Sequence, residues 1–140
     1  MNKFKINKGK IVILFDGLCT ICNTGIRILN KIPNNSRIII CSMESNKGIE
    51  ILQSMHVENT PDTIIVIDED NYYTNSKAIK KIVSTFTGFA IIFKIINIIP
   101  NFTINIFYNL IAKNRYKFFK KYEICPLNNS KEKMHLEILN

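Results

Sequence analysis

Apolar positions along this chain alternate between continuous β-branched runs and helical stripes, and the alternation predicts a mixed α/β order. Ile11-Val12-Ile13-Leu14-Phe15 is an unbroken run of the kind buried on both faces in a parallel sheet, and Asp16-Gly17 ends it. From about Thr20 to Lys31, Ile21, Ile26, Ile28 and Leu29 form a helical stripe, stopped by Pro33 and the turn-forming Asn34-Asn35. Arg37-Ile38-Ile39-Ile40-Cys41 predicts a second strand. Ser45 suits the cap of a helix running to about Met55, with Ile49, Leu52 and Met55 on one side and Gly48 as a weak point near its start.

Thr63-Ile64-Ile65-Val66-Ile67 predicts a third strand, Asp68 to Asn71 a polar turn, and Tyr72-Tyr73-Thr74 a short return strand, which together make a hairpin. Asn75 or Ser76 caps the next helix, where Ala78, Ile79, Ile82, Val83 and Phe86 recur at helical spacing. The resulting β-α-β-α-β-β-α order is that of a thioredoxin-like domain: two parallel strands joined by a crossover helix, then a hairpin and a covering helix. From Gly88 to about Lys121 one or two further helices are expected, split near Pro100. Phe102, Ile106, Leu110 and Ile111 form the stripe expected to pack on the core. The whole chain, 1–140, is expected to be one domain, with the core at about 10–87 and a helical extension at about 88–127.

Composition agrees with that size: of 140 residues 46% are hydrophobic and 21% charged, with few Gly or Pro, enough to bury a core. Asn, Lys and Gly interrupt the first ten residues, so the pattern of a secretory signal is missing and a cytoplasmic location is expected. The longest apolar stretch, Phe89 to Ile99, is broken by Lys94 and Asn97 and closed by Pro100. It is well short of the ~20 residues a spanning helix requires. Core packing is its expected role, with a helix lying on a membrane surface as the alternative. The net charge of +8 is densest at Lys113, Arg115, Lys117, Lys120 and Lys121. A solvated face is expected there ahead of attraction to anionic lipid or an acidic protein, and no nucleic-acid partner is expected.

The candidate chemistry lies between the first strand and the first helix, in Cys19-Thr20-Ile21-Cys22. In a reducing compartment, cysteines in a protein of this length point to catalysis or metal binding rather than a structural disulfide framework. Disulfide exchange needs one thiol that ionises near neutral pH and a second close enough to displace the substrate from the mixed disulfide. Cys19 would lie at the amino end of the helix, where unpaired N–H groups and the helix dipole favour a thiolate, with Cys22 one turn further in. Cys19 is thus the expected attacking thiol and Cys22 the resolving one. Asp16 is expected to accept hydrogen bonds from the turn and to serve as a proton relay that deprotonates Cys22. Gly17 is expected to supply a backbone angle that a side chain would forbid.

The rival for a Cys-x-x-Cys pair is half of a zinc site. Cys41 and Cys125 are the cysteines left to complete one, but neither belongs to a second Cys-x-x-Cys, and His56 and His135 lack paired spacing. Cys41 ends the second strand on the same sheet edge as Cys19, where a buried small residue is expected before a third redox thiol.

Asp16-Gly17-x-Cys19-x-x-Cys22 after an apolar strand resembles the signature of the DCC family of predicted thiol-disulfide oxidoreductases, named for its Asp and two Cys. Asp62-Thr63-Ile64-Ile65-Val66, Ser76-x-Ala78, Asn114-Arg115-Tyr116 and Cys125 are similar to family features in the same order, so the resemblance covers about Lys10 to Leu127. It implies a thioredoxin-like fold with Asp16, Cys19 and Cys22 as the site, and brings no known substrate. By analogy with thioredoxin-like proteins, Thr60-Pro61 stands where a cis-proline often faces the cysteine pair, which makes both residues candidates for substrate contact. Arg115 is expected to be a solvated charge or a helix-to-core salt bridge, ahead of an anchor for an acidic substrate.

The expected function is exchange with a disulfide-containing protein or a small thiol compound, without metal, flavin or nucleotide. The alternative is a non-enzymatic basic adaptor whose cysteines are structural, zinc-bound or otherwise.

Overall fold

The computed structural model describes Ile6 and residues 8–32, 37–57, 64–85, 90–118 and 137–139. Its elements are β1 (Ile11–Phe15), α1 (Thr20–Lys31), β2 (Ile38–Ser42), α2 (Asn46–Ser54), β3 (Ile65–Asp68), β4 (Asn71–Thr74), α3 (Asn75–Thr85), α4 (Ala90–Ile98), α5 (Asn101–Phe118) and β5 (Glu137–Leu139). The β-α-β-α-β-β-α order read from periodicity is therefore present, followed by two helices that part at Pro100.

The sheet runs β4-β3-β1-β2-β5. β1 pairs parallel with β2, Leu14 opposite Cys41 and Phe15 opposite Ser42, and antiparallel with β3, Ile13 opposite Val66. β3 and β4 form the antiparallel hairpin. These four strands are a thioredoxin-like core; the short β5 adds itself parallel to β2 and had no counterpart in the sequence reading.

A strand covered on both faces needs apolar side chains at every position, and β1 has them. Ile11, Ile13 and Phe15 pack with Ile38, Ile40 and Val66 against Ile26 of α1 and Ala78 and Ile82 of α3. Val12 and Leu14 pack with Ile39, Cys41, Ile65 and Ile67 against Ile51 of α2. Strand alternation thus feeds two cores, one on each side of the sheet.

The expected stripes of α1, α2 and α3 largely meet the sheet, through Ile26 and Leu29, Leu52 and Met55, and Ala78 and Ile82, but one residue of each of the first two does not. On α1 the expected stripe residue Ile28 is exposed, while Asn23 and Ile26 are buried and Leu29 half-buried. On α2, Leu52 and Met55 pack on the core as expected, Ile49 is exposed, and Gly48 and Ile51 are the fully buried positions. Gly48 is no weak point: a Cβ there would fall well inside contact distance of Ser42 O and 3.0 Å from Met43 Cα, so only glycine lets this turn approach the loop after β2. Ser45 caps the helix as expected, its hydroxyl accepting from Gly48 N–H at 3.0 Å.

The largest departure concerns α5. Phe102, Ile106, Leu110 and Ile111, expected to pack on the core, are 66%, 61%, 59% and 52% exposed. The helix docks instead through its more polar side. Asn105 Oδ1 accepts from Ser76 N–H at the start of α3 (3.2 Å), and the Tyr108 hydroxyl accepts from Ile64 N–H (2.8 Å). These bonds satisfy backbone donors next to β3 and at the α3 terminus, which apolar side chains cannot do. Phe86, Phe89 and Cys125 lie outside the described residues, as do the side chains of Arg115 and Tyr116.

Candidate functional site

β1 ends at Phe15, whose carbonyl still accepts from Met43 N–H at 2.9 Å, so the loops after the two parallel strands lie side by side. The chain turns at Asp16, where Oδ1 accepts from Leu18 N–H (2.9 Å) and the main-chain oxygen from Cys19 N–H (3.2 Å). The first of these is the Asx-type turn expected of Asp16. Gly17 N–H, between them, donates to Glu44 Oε2 at 3.0 Å, and the Ser42 hydroxyl donates to the same oxygen.

Asn23 closes the loop from below. Its side chain is 2% exposed, and Nδ2 donates to Gly17 O at 2.7 Å and to Cys19 O at 2.9 Å, while its own N–H donates to Cys19 O at 3.0 Å. The buried amide thus gives Gly17 O, outside the helix, a donor and adds a second donor to Cys19 O. Neither Asn23 nor Glu44 was found from the sequence. Asn23 carried one available signal, a polar residue on the buried side of α1 one turn after Cys19. Glu44 carried none, because its contact spans 27 positions and depends on the β1–β2 pairing.

Cys19 is the N-cap of α1, with φ −86° and ψ 121°, and its thiol makes no capping hydrogen bond. It is 1% exposed, whereas Cys22, one turn on, is half-buried. Both are thiols in this structure. Cys22 packs against the core beneath α1 and lines an apolar groove of about 410 Å³ with Gly25, Ile64, Val83, Tyr108 and Ala112. The dithiol pair thus spans a buried helix terminus and an apolar depression between α1, α3 and α5.

Cys41 reaches the same end of the sheet but belongs to the opposite core, with Leu14 and Ile51. Its thiol lies 3.4 Å from Ser45 Oγ and 3.6 Å from Ser42 O. Burial pushes its pKa up, with the Ser45 hydrogen bond and Lys47 acting the other way. It is a buried small residue facing away from Cys22 rather than a third member of the pair. Among the described residues no group of three or more His, Cys, Asp or Glu side chains is placed to hold a metal ion. Thr60 and Pro61 lie outside the described residues, so their relation to the cysteines is not part of this geometry.

A four-stranded mixed core of this topology, with Cys-x-x-Cys where β1 passes into α1, defines a thioredoxin-like protein. The chain belongs to the DCC1-like thiol-disulfide oxidoreductase family, whose model matches residues 13–121. It is 31% identical over 117 residues to the uncharacterized protein YuxK of Bacillus subtilis (strain 168), covering 83% of this chain and 85% of that one. It is 26% identical over 118 residues to a DCC family protein of Arabidopsis thaliana described as chloroplastic, covering 83% of this chain and 69% of the relative. No solved structure gives a significant match.

Proposed function

We propose that this protein is a thiol-disulfide oxidoreductase whose reacting sulfurs are Cys19 and Cys22, working in a reducing compartment such as the cytoplasm. The observation that carries the reading is Cys19 at the N-cap of a 12-residue helix, in a loop held by Asp16, Glu44 and Asn23, with Cys22 one turn away. Such a terminus stabilises negative charge through its N–H groups and dipole. The Cys19 thiolate attacks one sulfur of a substrate disulfide, forming a mixed disulfide and releasing the other substrate thiolate. Cys22, deprotonated with Asp16 as acceptor, then attacks Cys19 Sγ, releasing the second substrate thiolate and leaving a Cys19–Cys22 disulfide. Run backwards, the same steps oxidise a dithiol.

A second reading follows from exposure. Cys22 is the more accessible sulfur and lines the apolar groove, so it meets a substrate before the nearly covered Cys19 does. In that order Cys22 attacks and Cys19 resolves. Single Cys→Ser variants separate the two: Cys22→Ser traps mixed disulfides on Cys19 if Cys19 attacks, and Cys19→Ser traps them on Cys22 if the order is reversed. Mass spectrometry of the trapped adducts also identifies the partner. Stoichiometric zinc in the purified protein, with both cysteines inert to alkylation below pH 8 and no reversible disulfide, would overturn the redox reading in favour of a structural role.

A further inference from the structure

α4 and α5 leave a large apolar surface uncovered. On α4, Ile91, Ile95 and Ile98, at helical spacing, are 75%, 54% and 81% exposed. On α5, Phe102, Ile106 and Leu110 follow at steps of four, and Phe107 beside them is 63% exposed. Large apolar side chains exposed in this number along two successive helices mark a contact surface. The stripe on α5 continues, at steps of three and four, into the exposed Lys113 and Lys117, while the exposed Lys94 stands beside the stripe on α4.

Neither helix carries an acidic residue: residues 90–118 hold Lys94, Lys113, Arg115 and Lys117 and no Asp or Glu. Residues 71–122 contain nine Lys and Arg and no Asp or Glu, whereas the rest of the chain holds ten cations against eleven acids. The segment that carries these helices therefore holds a charge of +9 and the rest of the chain −1, which leaves the net charge of +8. A second copy of the chain would set lysines against lysines across the same face, which argues against self-association as its purpose. A bilayer of anionic lipid fits instead. It receives apolar side chains that stand out from a helix, requires no complementary shape, and lets lysine stems lie along the apolar stripe with their ammonium groups at the headgroups. No helix among the described residues is long and apolar enough to cross a membrane, so the contact is a surface one.

We infer that the α4–α5 face docks on the surface of an anionic lipid bilayer. The test is flotation of the full chain with vesicles of phosphatidylglycerol and phosphatidylcholine, beside vesicles of phosphatidylcholine alone. Binding is expected to the anionic vesicles at low salt, to weaken as salt is raised, and to be much weaker on the neutral ones. Replacing Lys113 and Lys117 by Gln is expected to weaken binding by roughly fivefold for each lysine. Ile98→Asp and Ile95→Asp are expected to abolish it. These side chains are 81% and 54% exposed, and thermal melting in solution checks that the fold is retained. Absence of flotation with anionic vesicles at low salt overturns the inference, as does flotation that survives Ile95→Asp and Ile98→Asp. A dimer that Ile98→Asp dissolves, or binding to polyglutamate, with no vesicle binding, assigns the face to protein and overturns it too.

Discussion

Asn23→Ala tests whether the amide under the cysteine loop builds the site. The substitution removes the donors to Gly17 O (2.7 Å) and Cys19 O (2.9 Å) from a position 2% exposed. Gly17 O, in a buried segment, loses that donor, at about 1–3 kcal/mol for an acceptor left unsatisfied. Cys19 O keeps the backbone N–H of residue 23 at 3.0 Å, so its loss is nearer ~1 kcal/mol. Alanine returns about 0.6 kcal/mol of helix propensity. The balance is a destabilisation of about 2–3 kcal/mol, which at an m-value of about 2 kcal/mol/M lowers the urea midpoint by roughly 1–1.5 M. Asn23→Asp keeps the shape but turns carboxylate oxygens toward two carbonyls, and is expected to be worse than alanine at neutral pH. Disulfide reduction by either variant, assayed under native conditions, is expected to slow on the order of tenfold to a hundredfold because the thiol is no longer held in place. A native urea midpoint for Asn23→Ala, or an Asn23→Asp no worse than alanine, would refute the reasoning.

Two further outcomes follow from the packing of β2 and α2. Gly48→Ala gains about 1 kcal/mol of helix propensity but drives a methyl into the Ser42 carbonyl, an overpacking cost near the upper end of about 1–3 kcal/mol. The expected net loss of about 2 kcal/mol lowers the melting temperature by roughly 5–10 °C, and a melt at or above the native one contradicts the close approach of helix and loop. Because burial raises the Cys41 pKa, the native chain keeps that proton where the unfolded chain has lost it. Stability contributed by this group is complete below the ordinary thiol value of about 8.5 and falls as pH rises above it. Urea unfolding of the native chain and of Cys41→Ala should therefore differ in slope only in that alkaline range; parallel pH profiles would dismiss a buried thiol.

The strands, the Ser45 cap and the β1-to-α1 position of Cys19 and Cys22 were legible in the sequence because each depends on neighbours a few residues away. A continuous run such as Ile11 to Phe15 needs both faces covered whatever the partners are, and a serine before a helix caps it locally. The docking side of α5 was less legible, because a 3.6-residue stripe shows that apolar residues share a side without showing which side meets the rest of the fold. On α5 the apolar side lost the core to Asn105 and Tyr108, since the α3 terminus and Ile64 present N–H groups that only polar side chains satisfy.

The sequence by itself determined the thioredoxin-like order, the Cys-x-x-Cys at the head of α1 and the turn made by Asp16, all written in short-range patterns. Only the tertiary structure decided that Glu44 reaches Gly17, that Asn23 holds the loop carbonyls, that Gly48 must lack a side chain and that Cys41 faces the other core. Those contacts arise where parallel β1 and β2 bring two distant loops together and where a strand sends neighbouring side chains to opposite faces. No local pattern encodes that geometry before the sheet has formed.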